Sequence, residues 1–191
     1  MNREPIIISN VLDEETFSEV KKDVDFFCKN IATTNWNVER GRLQTSDLFT
    51  LTTLHHKLLP LMKEKLNNEN ISPTFYILSV YEGAQANLHK HKDDDGCQYT
   101  LNLSISYKTQ WPIWVSGKEY KLEENEAIIY LGNDQYHWRE EFPEPNTNVV
   151  AAVSFFYCDH DHWYFTEGPG YRDVIRKRIT KAEWDEKRKN V

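Results

Sequence analysis

Hydrophobic residues in the first third of the chain recur at the spacing of amphipathic helices. One stripe, within residues 12–31, consists of Phe17, Val20, Val24, Phe27 and Ile31. A second stripe consists of Leu51, Leu54, Leu58, Leu61 and Met62, and the helix it predicts ends near the sequence NNENISP. The run PIIIS at residues 5–9 predicts a short strand before the first helix, and residues 32–48 have no clear period and predict an irregular segment.

After residue 70 the pattern changes to short runs typical of β-strands, separated by turn sequences such as EGAQ, DDDG and GND. The predicted strands span residues 74–81, 98–107, 111–115, 118–122, 127–132, 135–140 and 149–157. Ser116 and Gly117 lie between two of these runs and predict a hairpin turn. Short antiparallel strands after two helices predict an α+β, mainly β fold, namely a jelly-roll buttressed by N-terminal helices. Thr180 and Glu183 fit the capping box of a last helix.

Composition narrows the class of protein. A chain of 191 residues with no credible linker predicts a single domain, and an aromatic content of 13% excludes a disordered chain. The formal net charge of −7 makes nucleic acid an unlikely partner, and we interpret the basic C-terminal tail as a solvated helix. Three cysteines without a CxxC pair, together with the lack of a signal peptide or a long apolar run, predict a cytoplasmic protein that does not enter a membrane.

The stretch LHKHKDDDGCQYTLNLSISY, residues 88–107, carries the candidate chemistry. His91 and Asp93 are two positions apart, so in an extended backbone their side chains project to the same side. With a second imidazole from elsewhere they would form a two-histidine, one-carboxylate site that leaves coordination positions open, as ferrous iron enzymes require. The alternative is a polar turn between two strands, which is how we interpret Asp94 and Asp95.

The second imidazole has several candidates. His55 and His56 lie on the second predicted helix, where surface or capping roles are expected, and His89 shares a face with His91. The sequence CDHDHW places His160 and His162 after the last long strand, as a separate metal cluster or an exposed loop. His137 follows an apolar strand and a glycine turn, at the start of another strand.

Taken in chain order, these segments resemble the Fe(II)/2-oxoglutarate-dependent dioxygenases, in particular their prolyl 4-hydroxylase-like branch. The matching segments are PIIISNVLDEETFSEV, VYEGAQANLHKHKD, CQYTLNLSISY, WPIWV, ENEAIIYLGNDQYHWREEF and AAVSFFY, within residues 5–158. The combination of His-x-Asp with HWRE, in this order, is much more specific than either motif. The resemblance implies one dioxygenase domain over residues 1–191, with its core at about 5–158 and a C-terminal extension at 159–191.

The resemblance also implies a double-stranded β-helix in which His91, Asp93 and His137 bind iron and carry the catalysis. The implied reaction uses Fe(II), 2-oxoglutarate and O₂, with ascorbate as an optional further cofactor. It hydroxylates an unactivated C–H bond of a peptide side chain or small molecule and releases succinate and CO₂. The alternative from another class is a non-redox jelly-roll or cupin-type metal-binding protein, or a non-oxidative metalloenzyme.

The sequence departs from the family pattern at the anchor for the far carboxylate of 2-oxoglutarate. Family members usually place an Arg or Lys on the closing strand, but here that strand, NTNVVAAVSFFY, has no basic residue. Arg139 is the first alternative, because it is two residues past His137 and shares its side of a strand. Lys108 and Tyr99 are the other candidates for binding this co-substrate. The competing interpretation of Arg139 is a surface salt bridge with Glu140 or Glu141.

Overall fold

The computed structural model describes residues 4–30, 36–37 and 40–166. The strands are β1 (Ile6–Ile8), β2 (Trp36–Asn37), β3 (Arg42–Thr45), β4 (Ile71–Glu82), β5 (Leu88–His91), β6 (Tyr99–Tyr107), β7 (Ile113–Val115), β8 (Lys118–Tyr120), β9 (Ala127–Tyr130), β10 (His137–Arg139) and β11 (Val149–Asp159). The helices are α1 (Glu14–Asn30), α2 (Phe49–Lys57), α3 (Leu59–Leu66) and α4 (Trp163–Thr166). None of the helices in these ranges is long and apolar enough to cross a membrane.

The strands form two antiparallel sheets. The larger has the order β1-β9-β6-β11-β4-β3-β2, and the smaller has the order β5-β10-β7-β8. From β4 onward the chain passes back and forth between the sheets, with β4, β6, β9 and β11 in the larger one and β5, β7, β8 and β10 in the smaller. This alternation is that of a double-stranded β-helix, so the predicted jelly-roll is confirmed.

The two faces of the larger sheet differ in chemistry. Along β6, Leu101, Leu103 and Ile105 alternate with polar residues and pack in the main core with side chains of α1, α2 and α3. The opposite face of β6 presents Asn102 to a cavity between the sheets. The helices therefore cover the outside of the larger sheet, and the polar inner face is left available for a site.

The hairpin and the helix break follow from local sequence. Ser116 and Gly117 have φ values of 51° and 85°, which is the positive-φ pair of a type I′ turn, and they join β7 to β8 as predicted. The second predicted helix is divided into α2 and α3 at Leu58. Pro60 lies in the first turn of α3, where its missing N–H is tolerated, but it cannot continue α2.

One part of the expectation for residues 32–48 is wrong. Residues 42–45 form strand β3, which pairs with β4 in the register Arg42↔Tyr81. Leu43 packs in the core while Arg42 and Gln44 face the cavity, so a single apolar residue determines the burial of the strand. Such a short alternation gives no detectable period. The predicted capping box at 180–183 lies outside the described residues.

Candidate metal centre

The pairing of β5 with β10 brings two histidines together. His137 is the cross-strand partner of His91 in this antiparallel pair, so both side chains lie on the same face of the smaller sheet. Asp93 follows β5, and its backbone N–H donates a hydrogen bond of 2.9 Å to the carbonyl of Gly132. This bond ties the segment after β5 to the turn that precedes β10.

The three side chains converge on one point. The Nε2 atoms of His91 and His137 lie 3.5 Å and 3.4 Å from Oδ1 of Asp93. The two imidazole ring centroids are 4.3 Å apart, and one donor atom from each of the three residues falls within 4.8 Å of the others. Among the described residues, no other group of three such side chains lies this close together.

Main-chain carbonyls determine how the imidazoles are turned. Nδ1 of His91 donates to the carbonyl of His89 at 2.7 Å, and Nδ1 of His137 donates to the carbonyl of Gln135 at 3.1 Å. Because a carbonyl only accepts, the proton of each neutral ring is on Nδ1. The lone pair of each Nε2 is therefore directed toward Asp93 and is available to a metal.

The environment of Asp93 favours its ionised form. Burial opposes ionisation, but the hydrogen bonds that the Nε2 atoms of His137 and His91 donate to Asp93 when the imidazoles carry a second proton outweigh it and lower the pKa of Asp93 to about 2. Thr100 donates from its hydroxyl to Oδ2 of Asp93 at 3.3 Å. The same hydrogen bond from His91 raises the pKa of His91 above its usual value of 6.5, against the effect of burial.

Gly132 has no side chain, and the carboxylate of Asp93 lies in the space that a side chain would take. A Cβ atom at this position would lie 2.3 Å from the Thr100 hydroxyl, 2.6 Å from the Cys97 carbonyl and 2.7 Å from Oδ2 of Asp93. No larger residue fits here without displacing Asp93. Two neutral imidazoles and one half-buried carboxylate are the donor set that non-haem ferrous iron prefers, so the residues present fit this ion.

The other histidines lie elsewhere. His55 is buried, contrary to the surface role expected for it, because its ring packs against Phe155 and Tyr157 and its Nε2 lies 2.9 Å from the Phe156 carbonyl. His89 is exposed at the rim of the cavity. His160 is exposed, and Nδ1 of His162 accepts a hydrogen bond from the Tyr164 backbone.

The triad opens into a cavity of about 460 Å³ between the two sheets. Its charged and polar lining consists of Arg40, Arg42, Gln44, Ser79, Asn87, His89, Asn102, Arg139 and Ser154, in addition to the triad. Its aromatic and aliphatic lining consists of Ile77, Tyr81, Leu88, Ile113, Tyr130, Ala152 and Phe156. Within the described lining Asp93 is the only carboxylate, so cationic side chains outnumber anionic ones.

Of the three candidates for the co-substrate anchor, the fold places only one in the described lining of the cavity. Arg139 lines the cavity, and its guanidinium carbon lies 5.1 Å from the centre of the Trp111 ring. No described ion pair involves Arg139, and Glu140 instead accepts a hydrogen bond of 2.6 Å from the Trp138 indole. Lys108 is exposed and Tyr99 bonds Asp159 through its hydroxyl, and neither residue lines the cavity.

Sequence reasoning did not identify several polar residues of the cavity. Nε of Arg42 and Oδ1 of Asn102 are buried without a hydrogen-bond partner among the described residues. Asn102 belongs to the polar residues that alternate with apolar ones along β6, and Ser154 is a single polar residue within an apolar run of β11, and both patterns could have identified them. Arg42 has no comparable signal, because its strand is only four residues long.

No protein-family model matches the sequence, and no curated protein matches it significantly. Solved structures do match the fold. A prolyl-4-hydroxylase from Pseudomonas putida is similar with a TM-score of 0.64 and 10% identity, over 83% of this chain and 94% of that one. A prolyl hydroxylase from Trichoplax adhaerens, in complex with a hypoxia inducible factor oxygen degradation domain peptide, has a TM-score of 0.65 and 16% identity, over 87% and 88%.

A third similar structure is HygX from Streptomyces hygroscopicus with nickel and 2-oxoglutarate bound. Its TM-score is 0.63 at 10% identity, over 82% of this chain and 83% of that one. The matches span most of each chain, so the similarity is not limited to a small part of the fold. The chain thus has the fold of the Fe(II)/2-oxoglutarate-dependent oxygenases.

Proposed function

We propose that this protein is an Fe(II)- and 2-oxoglutarate-dependent oxygenase that hydroxylates a C–H bond of a small molecule or peptide side chain. The observation that carries the proposal is the convergence of His91, Asp93 and His137 in one cavity that also contains the Arg139 guanidinium. His91, Asp93 and His137 would hold the iron. When bound, the iron and 2-oxoglutarate supply the oxidation, in which O₂ is consumed, succinate and CO₂ are released and one oxygen atom enters the substrate.

The residues of the chain would bind and orient the co-substrate. Arg139 would form a charge-assisted hydrogen bond with the far carboxylate of 2-oxoglutarate. Burial lowers the pKa of Arg139, but a guanidinium starts from 12.5 and keeps its charge at neutral pH. Burial raises the pKa of the Tyr130 hydroxyl well above 10, so Tyr130 stays a neutral donor beside His137, with its ring centroid 4.8 Å away.

The apolar part of the cavity wall would limit the access of water. Ile113, Ala152 and Phe156 lie on the strands that face the triad and offer no hydrogen-bonding side-chain atoms. A cavity of this kind strengthens the electrostatic interactions inside it. The three free cysteines, Cys28, Cys97 and Cys158, suit a reducing compartment such as the cytoplasm, where iron remains ferrous.

Metal and co-substrate binding test the proposal. The full chain should bind Fe(II), bind 2-oxoglutarate in an Fe(II)-dependent manner, and form succinate in the presence of O₂. Replacement of one metal ligand, His137→Ala, should weaken metal binding by at least about 100-fold and abolish succinate formation, because a ligand matters more than its supporting groups. Calorimetry and a succinate assay measure the two effects.

A matched histidine variant provides the control. His160→Ala removes an exposed imidazole from the CDHDHW sequence and should leave metal affinity unchanged. Equal losses in the two variants would contradict the assignment of the metal to His137. A wild-type chain that binds neither Fe(II) nor 2-oxoglutarate would overturn the proposed function and favour a non-redox jelly-roll protein.

A further inference from the structure

We infer that the substrate of this site carries an oxyanion, a carboxylate or a phosphate, which the guanidinium of Arg42 binds at the cavity wall. The inference rests on the proposed function and specifies its substrate class. Arg42 and Arg139, which are both half-buried, contribute two positive charges, and Asp93 contributes one negative charge.

The proposed occupants leave this excess uncompensated. A divalent iron and the dianion of 2-oxoglutarate cancel each other, and Asp93 balances one of the two half-buried arginines, so one positive charge remains. The whole chain has a formal net charge of −7, so a cationic cavity is not a consequence of its composition. A low-dielectric cavity wall makes an unbalanced charge costly, and an anionic ligand would relieve that cost.

Arg42 is the arginine best placed to bind such a ligand. Its side chain is half-buried and lines the same cavity as the triad. Its Nε atom is buried without a hydrogen-bond partner among the described residues, and no described ion pair involves Arg42. A buried N–H without a partner costs free energy, and a planar guanidinium is suited to bidentate binding of a carboxylate or phosphate.

The backbone around Arg42 is built to hold it in place. Gly41 has a φ of +51°, and a Cβ atom there would lie 2.3 Å from the backbone nitrogen of Ala86. The carbonyl of Gly41 accepts a hydrogen bond of 3.0 Å from Glu82, at the end of β4. The start of β3 is thus packed against the loop that leads into β5 and His91, so the positions of Arg42 and the triad are fixed relative to one another.

Arg139 and Arg42 therefore have separate roles. Arg139 lies on β10 beside Trp111, and we assign it to the co-substrate. Arg42 lies on β3, in the other sheet, and faces the same cavity from the opposite layer. A substrate held by its oxyanion at Arg42 would extend across the cavity, with its reacting C–H directed to the triad.

Two minimal anions, inorganic phosphate and acetate, probe this site directly. The full chain is loaded with Mn(II), which is paramagnetic, and saturated with 2-oxoglutarate so that Arg139 is engaged. Relaxation of the ³¹P signal of phosphate and the ¹³C signal of acetate then reports binding near the ion. We expect saturable relaxation enhancement with at least one probe, and the preferred probe distinguishes a phosphate-bearing from a carboxylate-bearing substrate.

Variants of Arg42 test whether this residue binds the probes. Arg42→Gln should weaken the affinity for the preferred probe by about tenfold or more, since hydrogen bonds to charged groups are among the strongest. Arg42→Lys keeps the charge without the planar fork and should give an intermediate affinity. Lys57→Gln removes one positive charge from an exposed position of α2, outside the cavity, and should match the wild type.

Mn(II) and 2-oxoglutarate affinities, measured by calorimetry on the same samples, distinguish a failure of the Arg42 inference from a failure of the proposed function. If Arg42→Gln binds both normally and also binds phosphate and acetate like the wild type, the inference is overturned while the proposed function stands. Absence of saturable enhancement with both probes in the wild type overturns it in the same way. If the wild type binds neither Mn(II) nor 2-oxoglutarate, the proposed function fails, and the inference fails with it.

Discussion

We have proposed that Arg139 binds the far carboxylate of 2-oxoglutarate through a charge-assisted hydrogen bond. It lies two residues beyond His137 on β10 and lines the same cavity. We expect Arg139→Ala to weaken 2-oxoglutarate binding by about 10- to 100-fold, since a charge-assisted hydrogen bond is lost, and to leave metal affinity unchanged. Lys108→Ala, at an exposed position outside the cavity, is the matched control. Calorimetry would remove Arg139 from the co-substrate site if both variants bound like the wild type.

The pKa of His91 predicts how metal binding depends on pH. A hydrogen bond with Asp93 raises this pKa above 6.5, so in the metal-free chain a proton competes for His91 to a higher pH than usual. Metal affinity should increase as pH rises toward the raised pKa, where binding releases the proton of His91, and should level off above it, where no proton is released. Titrations in buffers of different ionisation enthalpy count that proton. Affinity that is already constant below pH 6.5 would contradict the expectation.

The hydrogen bond between protonated His91 and Asp93 also stabilises the metal-free chain, and this stabilisation decreases as pH rises, whereas the metal affinity increases. Since the folded-state pKa of His91 is raised, its contribution is fully present below the unfolded pKa and is lost as pH rises through the folded value. The pKa of Asp93 is lowered to about 2, so its contribution is present at neutral pH and is lost as pH falls from 3.8 toward 2.

The sequence contained much of the site, but not all of it. His91 and Asp93 could be paired because alternate residues of an extended chain share a side, whereas His137 was chosen among several histidines only through the family resemblance. The sequence did not reveal that Lys108 and Tyr99 lie away from the cavity, because only the strand register determines which residues face inward. Arg42 was missed because one charged residue in a short strand does not differ from a surface charge.

At the scale of elements, substitutions at two turn glycines should distinguish a loss of metal affinity from a loss of stability. Gly132→Ala should weaken metal affinity by about tenfold or more, because the new Cβ would displace Oδ2 of Asp93. Gly117→Ala should instead lower the free energy of unfolding by about 1 kcal/mol, because its φ of +85° disfavours a side chain, with no effect on the metal. Nothing lies within 4 Å of the Cβ position at Gly117, so the cost there is conformational.

Urea denaturation and calorimetry on both variants check this pair of expectations. Gly117→Asn serves as an intermediate case, since asparagine tolerates positive φ better than alanine does. Metal affinity that is lost equally in Gly117→Ala and Gly132→Ala would show that the two turns are not independent.

The strands from β4 onward were predictable because alternation and turn residues mark them clearly. The extended segment at 88–91 was predicted only through its histidines, and β3 was not predicted at all. Both are four-residue strands whose burial depends on neighbours distant in sequence. Long-range pairing, rather than local propensity, decides such elements.

At the scale of the molecule, the two faces of the larger sheet have different tasks. Leu103 is fully buried on the face covered by helices, and Asn102 faces the cavity. We expect Leu103→Ala to lower the free energy of unfolding by about 2–5 kcal/mol while the folded protein keeps its metal affinity. Asn102→Ala loses only a hydrogen bond to Ser154, so a loss below about 1.5 kcal/mol is expected. Urea denaturation with metal titration compares them, and comparable losses of stability would contradict this division.

The turning of both imidazoles by main-chain carbonyls has a consequence for how this domain tolerates mutation. The acceptor for His91 is the main-chain carbonyl of residue 89, which is present whatever side chain that residue carries. Substitutions of that side chain can therefore change the shape of the cavity rim without changing the orientation of the His91 ring. The residues around such a centre can therefore change, and the substrate selectivity with them, while the geometry of the three candidate metal ligands stays the same.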